Sequence, residues 1–158
     1  MTLRSRLTRA GALLGLACGL TLSSAAQTPP LLDLATFAQS SVEIGTSSPM
    51  QHFDVWIANS PEEQTQGLMF VRDLPANRGM LFLEPQAREM AFWMKNTYIE
   101  LDMLFVAPNH RILKIAPRTH PLSQDLVHSD GAVIAVLEIK GGEAERRGLH
   151  VGDHISWR

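Results

Sequence analysis

The sequence has 158 residues, and it is poor in cysteine and in aromatic residues: Cys18 is its only cysteine, and Phe, Trp and Tyr make up 6% of the chain. One thiol cannot form an intramolecular disulfide, which excludes a disulfide-rich scaffold. The longest apolar run, residues 10–22, covers about 13 residues, fewer than the roughly 20 that a membrane-spanning helix needs. We therefore expect no transmembrane helix in the mature protein and a core stabilised by packing alone.

Motifs of the common enzyme classes are also absent from the sequence. It contains no H-E-x-x-H zinc motif, no paired cysteines and no glycine-rich phosphate loop. It also lacks the G-x-S-x-G element that carries a hydrolase nucleophile. Among the six histidines, His150 and His154 are four residues apart, but Gly152 between them disfavours the helix that would align them. These absences lower the expectation of catalysis without excluding it, and we predict no cofactor.

The N-terminus has the pattern of a secretory signal peptide. Three arginines precede the apolar run, and small residues at 23–26 follow it. The arginines are Arg4, Arg6 and Arg9. We therefore interpret residues 1–26 as a signal peptide cleaved after Ala26, and we expect a periplasmic or extracellular protein. Lipid anchoring at Cys18 is a less favoured alternative, because the apolar run continues past it.

Cleavage of the signal peptide would change the charge of the protein. The 14 basic residues include those three arginines, so 11 basic and 16 acidic residues remain after Ala26, a net charge of −5. An acidic domain without basic runs repels phosphate backbones, and we expect no nucleic-acid partner.

The rest of the chain predicts a linker or N-terminal arm over residues 27–40, which contains Pro29 and Pro30, and a single domain over residues 41–158. Short apolar runs alternate with turn residues in this domain, a pattern typical of β structure. The predicted strands cover residues 42–44, 52–58, 80–83, 90–94, 102–106, 112–116, 132–139 and 155–157.

Two short helices interrupt the predicted strands. Ser60 precedes a proline and is followed by Glu63, which predicts a capped helix from residue 61 to residue 66 that stops at Gly67. A second helix is expected over residues 143–147, before Gly148. Many short strands with two small helices favour a sandwich or a partly closed barrel.

Several segments together resemble a known family. Residues 63–69 read E-Q-T-Q-G-L-M, residues 79–82 read G-M-L-F, and residues 92–97 read F-W-M-K-N-T shortly before L-D at 101–102. This pattern is similar to the domain of unknown function (DUF) 192 family, and the W-M-K-N-T block is its most specific part. The resemblance implies a mainly β, jelly-roll-like sandwich that is often exported, and it implies no established activity.

The segment after Trp93 contains a cation, an amide and a hydroxyl at successive positions, Lys95, Asn96 and Thr97. Such a group at a strand end can line a pocket and bind a polar ligand. The structural alternative is an Asx-type turn with a solvated lysine, and turn chemistry explains Asn-Thr more simply.

Two carboxylates occur beside apolar strand residues, Asp102 and Glu138. A buried carboxyl without a partner has a raised pKa and can act as a general acid or base. The favoured alternative is structural: each accepts backbone N–H groups or pairs with Lys95 or Arg72. The sequence does not indicate whether the two carboxylates lie close together.

Methionine is concentrated between residues 69 and 103, around Trp93. Thioethers suit Cu(I), and the candidate metal-binding residues are Met69, Met80, Met94 and Trp93. Ordinary core packing is the favoured alternative, above all for Met80.

The preferred hypothesis is an exported, non-catalytic binding or accessory domain that recognises a small polar ligand or an envelope protein. The predicted ligand-binding residues are Arg72, Lys95, Asn96, Thr97, Asp102 and Glu138. The alternatives are an enzyme that acts on an envelope component through a carboxylate acid or base, and a periplasmic Cu(I)-binding protein.

Overall fold

Seven strands form one curled sheet in the part of the chain that the structure describes. The structure is a computed structural model, and it describes residues 31–45 and 49–158. The predicted signal peptide, its cleavage site after Ala26 and the candidate acylation site Cys18 lie outside these residues. The compact unit described below begins at Leu31 and ends at Arg158.

The strands follow one another with few helices between them. They are β1 (Ala38–Gly45), β2 (Gln51–Ala58), β3 (Arg78–Arg88), β4 (Ala91–Phe92), β5 (Leu101–Val106), β6 (Ile112–Thr119), β7 (Val127–His128), β8 (Val133–Lys140) and β9 (His154–Trp157). The helices are α1 (Pro61–Gln66) and α2 (Glu143–Arg146), and a 3-10 turn covers Leu34–Thr36. The main sheet has the order β6-β5-β8-β3-β2-β1-β9, while β4 and β7 form a separate pair. Only the β2–β3 pair of the main sheet is parallel within the described residues.

The two outer strands of the main sheet meet at one end. Arg111, just before β6, forms an isolated bridge with His154 at the start of β9. Beside it, the N–H of Ile155 donates to the carbonyl of His110 at 2.9 Å, and the N–H of Gly152 donates to the carbonyl of Ile112 at 2.8 Å. These hydrogen bonds close the sheet into a half-barrel at this end, which confirms the predicted mainly β, partly closed architecture with two short helices.

The sheet has an apolar core on each face. Successive residues of a strand point to opposite faces, so Leu137 and Ile139 of β8 belong to one core and Val136 to the other. Glu138 lies between Leu137 and Ile139 and therefore points to the face of Val136. Its direct neighbours on the adjacent strands are Met80 and Met103, which belong to that second core.

The predicted helix α1 is confirmed at both ends. The Ser60 hydroxyl accepts from the N–H of Glu63 at 3.2 Å, and the Glu63 carboxylate accepts from the N–H of Ser60 at 2.8 Å, which is a capping box. The backbone N–H groups of Ser60 and Asn59 hold the pKa of Glu63 below its usual range. Gly67 ends the helix with a φ of 51°.

Every predicted strand is present, although most boundaries differ; β3 and β6, for example, extend beyond the predicted residues 80–83 and 112–116. The strand expected at residues 90–94 shortens to β4, because the N–H of Met90 bonds to the Ser129 hydroxyl instead of a neighbouring strand. β1 begins at Ala38, three residues before the expected domain start, and Phe37 is buried. The sequence did not predict β7 or the 3-10 turn.

No helix among the described residues combines the length and the apolar character needed to cross a bilayer.

Candidate functional site

A cavity of about 380 Å³ lies on the second face of the sheet. Helix α1 and the turn after it form one wall, and residues 88–97 form the opposite wall. Its lining includes the side chains of Gln64, Met69, Phe82, Arg88, Met90, Phe92, Trp93, Thr97 and Glu138. The cavity therefore combines aromatic and thioether surface with a few polar groups, as small-molecule sites do.

Glu138 is the one carboxylate among the residues that line this cavity. It is only 4% exposed, and no group within the described residues donates a hydrogen bond to it or forms an ion pair with it. Burial raises the pKa of the Glu138 carboxyl from 4.5 to about 8. At pH 7 the group is therefore mostly protonated and presents both a hydrogen-bond donor and an acceptor to the cavity.

The turn at Gly67 places the residues after α1 against the second core and the cavity. After Gly67 turns the chain, Leu68 packs in the second core and Met69 faces the cavity. A β-carbon at Gly67 would meet the Phe82 ring at 3.2 Å, and the φ of 51° disfavours any other residue. This glycine is therefore required both for the turn and for the close approach of the turn to the cavity floor.

The opposite wall contains the W-M-K-N-T block. Lys95 Nζ lies 5.2 Å from the centroid of the Trp93 ring, and Trp93 remains 44% exposed. Asn96 has a φ of 59°, and its amide contacts the Met69 sulfur at 3.8 Å. Thr97 is buried and lines the cavity. The block thus forms a tight turn, closed by the N–H of Thr97 on the carbonyl of Met94, and two of its residues, Trp93 and Thr97, line the cavity.

Polar groups on the walls mostly use their donors within the protein. Gln64 Nε2 donates to the carbonyl of Leu83 at 3.0 Å. The Arg88 guanidinium makes two hydrogen bonds, of 2.7 and 2.8 Å, to the Glu84 carboxylate, and this contact raises the pKa of Arg88. Several donors of the walls are therefore engaged within the protein, and Arg88, the cation of the lining, is paired with a carboxylate.

Asp102 does not share this cavity. It pairs with Ile139 in the sheet, one position away from the pairing of Met103 with Glu138, so its side chain lies on the opposite face. Its carboxylate accepts three backbone N–H bonds, from Arg118 at 2.8 Å, Gly142 at 2.9 Å and Ala144 at 2.8 Å. Asp102 is thus a structural acid that fastens the start of α2 to β5 and β6, as the structural alternative describes, and we remove it from the candidate site.

The remaining predicted residues are distributed over the surface and the core. The Arg72 guanidinium lies 4.8 Å from the centroid of the exposed Tyr98 ring and does not line the cavity. Of the six residues predicted to bind a ligand, Thr97 and Glu138 share the cavity, while Lys95 and Asn96 adjoin its wall.

The four candidate metal-binding residues do not converge. Met69 and Trp93 line the cavity, whereas Met80 is fully buried in the second core. Met94 is also buried, and its sulfur accepts a hydrogen bond from the Thr119 hydroxyl at 3.1 Å. Within residues 31–45 and 49–158, no three His, Cys, Asp or Glu side chains are grouped as metal ligands.

Several lining residues were not predicted from the sequence. Gln64, Phe82, Met90 and Phe92 belong to segments that the sequence analysis assigned to a helix or to strands, with no signal of a site. Phe82 and Phe92 occur in the family-like segments G-M-L-F and F-W-M-K-N-T, which is the signal that could have marked them.

These features define a small, mainly β domain with a half-barrel sheet and one cavity-facing buried acid. The chain belongs to the DUF192 family, described as an uncharacterized ACR, whose model matches residues 42–157. A solved structure of a candidate transcription regulator from Sinorhizobium meliloti 1021 is 35% identical, covers 77% of this chain and 95% of that protein, and has a TM-score of 0.74. A protein of unknown function from Novosphingobium aromaticivorans DSM 12444 is 34% identical, covers 84% of this chain and 94% of that protein, and has a TM-score of 0.77. No curated protein matches the chain significantly.

Proposed function

We propose that the protein is a non-catalytic binding domain that holds a small polar ligand in the cavity between α1 and residues 88–97. The observation that carries this proposal is the Glu138 carboxyl, which is buried, faces the cavity and receives no hydrogen bond from the described residues. A ligand that hydrogen-bonds to this group would supply the partner that the protein itself does not.

The two buried carboxyls of the sheet show why Glu138 indicates a ligand. Asp102 accepts three backbone N–H bonds, so its burial is compensated. Glu138 has no such compensation, and a pKa raised from 4.5 to about 8 corresponds to about 5 kcal/mol of unfavourable free energy for the ionised form. The folded protein keeps the carboxyl protonated at pH 7 instead, and the net cost to the fold is then about 3 kcal/mol. A residue with such a cost is expected where function needs it.

An enzyme that uses Glu138 as a general acid or base is the second candidate. The raised pKa of Glu138 favours it, because such groups work best when their pKa lies near the working pH. A glycoside hydrolase, however, normally requires two carboxyls flanking the bond, and Glu138 is the single acid in the lining. Binding without catalysis therefore agrees better with the geometry.

We propose further that the protein acts in the periplasm or outside the cell. The support is the arrangement of basic, apolar and small residues over positions 1–26. A ligand would then be an envelope or extracellular compound, or part of an envelope protein.

The likeness to a candidate transcription regulator does not favour DNA as the ligand of this chain. The residues after position 26 contain 11 basic and 16 acidic side chains. Several of the basic side chains are engaged by carboxylates, among them Arg88, Lys114 and Arg147. DNA binding depends on cations that are free to neutralise phosphates.

A library of small polar compounds, screened by thermal shift, tests the proposal. A ligand of the cavity should raise the Tm of the wild type but not of A91W, because Ala91 is exposed at the cavity wall and an indole there fills the entrance. The matched control is A132W, which adds the same indole at an exposed alanine outside the cavity lining. Compounds that shift A91W as much as A132W would contradict the cavity as the site.

A further inference from the structure

We propose that the cavity binds an uncharged, hydroxyl-bearing ring of monosaccharide size, packed against Trp93 and hydrogen-bonded to the Glu138 carboxyl. This inference rests on the proposed function and names the class of its ligand. Three properties of the cavity support it: the kind of hydrogen-bonding groups left free, the absence of a free charge of either sign, and the aromatic surface.

The walls present acceptors more than donors. The Thr65 hydroxyl donates to the carbonyl of Pro61 at 2.7 Å, and the Gln64 amide nitrogen donates to the carbonyl of Leu83 at 3.0 Å. The Gln66 amide nitrogen donates to the carbonyl of Leu32 at 2.8 Å. Gln64 Oε1 accepts no bond from the described residues and remains available as an acceptor, and the protonated Glu138 carboxyl adds one donor and one acceptor. Hydroxyl groups both donate and accept hydrogen bonds, so a ligand with several hydroxyls complements this set.

The charges around the cavity disfavour a charged ligand. An anion would need a free cation in the lining, but Arg88, the cation of the lining, is held by two hydrogen bonds to Glu84. Lys95 lies over the Trp93 ring and is not part of the lining. A cation would need an ionised Glu138, and burial keeps that carboxyl neutral at pH 7. A neutral ligand avoids both penalties.

Aromatic rings form the apolar part of the cavity. Phe82 and Phe92 make an edge-to-face pair with centroids 5.1 Å apart, and Trp93 is 44% exposed beside them. The C–H face of a sugar ring packs on such aromatic surfaces while its hydroxyls reach polar groups at the edge. The volume of about 380 Å³ is near the lower limit of small-molecule sites, roughly 300–1,000 Å³, which suits a single ring.

A comparison of sugars that differ only in charge tests the inference. Neutral hexoses and N-acetylhexosamines, the matching uronic acids and the matching amino sugars would be titrated at pH 6. The readout is Trp93 fluorescence in a W56F/W157F background, since the chain has three tryptophans. We expect at least one neutral sugar to bind, and its charged counterparts to bind at least tenfold more weakly.

Substitutions of Glu138 and Ala91 then test whether the sugar binds in the cavity. E138Q keeps a neutral donor and acceptor and should retain measurable affinity, whereas E138L should weaken binding at least tenfold. In isothermal titration calorimetry, which an added indole does not disturb, A91W should abolish binding and A132W should retain it. Stronger binding of an ionised sugar, or equal affinities of E138Q and E138L, would overturn the inference.

The outcomes for the inference and for the proposed function differ. If no sugar binds but another compound raises the Tm of A132W and not of A91W, the saccharide inference is wrong and the binding function stands. If neither a sugar nor any polar compound binds in an A91W-sensitive manner, both are wrong.

Discussion

Replacing Glu138 with Gln should make the protein more stable. Glutamine has nearly the same shape and cannot ionise, so it removes the free energy that the unfolded chain gains when its glutamate releases a proton. The carboxyl has a pKa of about 8 in the folded protein, against 4.5 ordinarily. At pH 7 the two states therefore differ by about 3 kcal/mol in favour of unfolding, and E138Q should raise the Tm by about 10 °C.

The raised pKa also predicts the direction in which the stability changes with pH. Because the folded pKa is raised, the folded state binds more protons than the unfolded state between pH 4.5 and pH 8. The contribution of Glu138 to stability consequently falls as the pH rises through this window and changes little above it. In E138Q this decline should disappear, so the variant and the wild type should have similar stability at pH 4.5 and diverge toward pH 8.

Urea unfolding at several values between pH 4.5 and pH 9 measures this effect. The control is E89Q, which makes the same change at an exposed glutamate and should follow the wild-type pH curve. Parallel curves for wild type and E138Q would refute the reasoning, because they would show that Glu138 titrates alike in the folded and unfolded states.

Three further substitutions test the structural interpretation by urea unfolding. D102N leaves one acceptor oxygen for three backbone N–H groups and should cost about 3 kcal/mol or more; a loss below about 1 kcal/mol would contradict its structural role. S60A removes the cap of α1 and should cost about 1 kcal/mol, while S60T should retain most of the stability. G79A would place a β-carbon 2.5 Å from the carbonyl oxygen of Glu138 and should cost about 2 kcal/mol by forcing β3 from β8. G148A, whose β-carbon meets nothing within 4 Å, should cost only about 1 kcal/mol for its backbone strain, and equal losses in G79A and G148A would contradict the steric argument.

Features that depend on neighbouring residues could be predicted from the sequence. The cap at Ser60 and the stop at Gly67 define α1 to the residue, because capping and left-handed turns involve groups only a few positions apart. The alternation in β2 likewise predicts which side chains are buried: Phe53 and Val55 are, and Trp56 is half-buried. The start of β1 was less predictable, since residues 38–41 form a strand only by pairing with the distant β2.

The candidate site was predictable only in part. Asp102 and Glu138 have the same sequence character, an acid beside apolar strand residues, and the sequence could not distinguish them. Their surroundings differ. Asp102 accepts hydrogen bonds from three backbone N–H groups within residues 118–144, whereas Glu138 lies between Met80 and Met103 of the neighbouring strands.

The sequence by itself determined the β class, the two helices and the presence of acids that a core would not ordinarily accept. The tertiary structure decided which of those acids receives hydrogen bonds that offset its burial. A shift of one residue in strand pairing moves a side chain to the other face of the sheet, so the fate of a strand carboxyl depends on register between segments distant in sequence. For this protein, the pairing of β8 with β3 and β5 places Glu138 beside the cavity, where no other described residue donates a hydrogen bond to it.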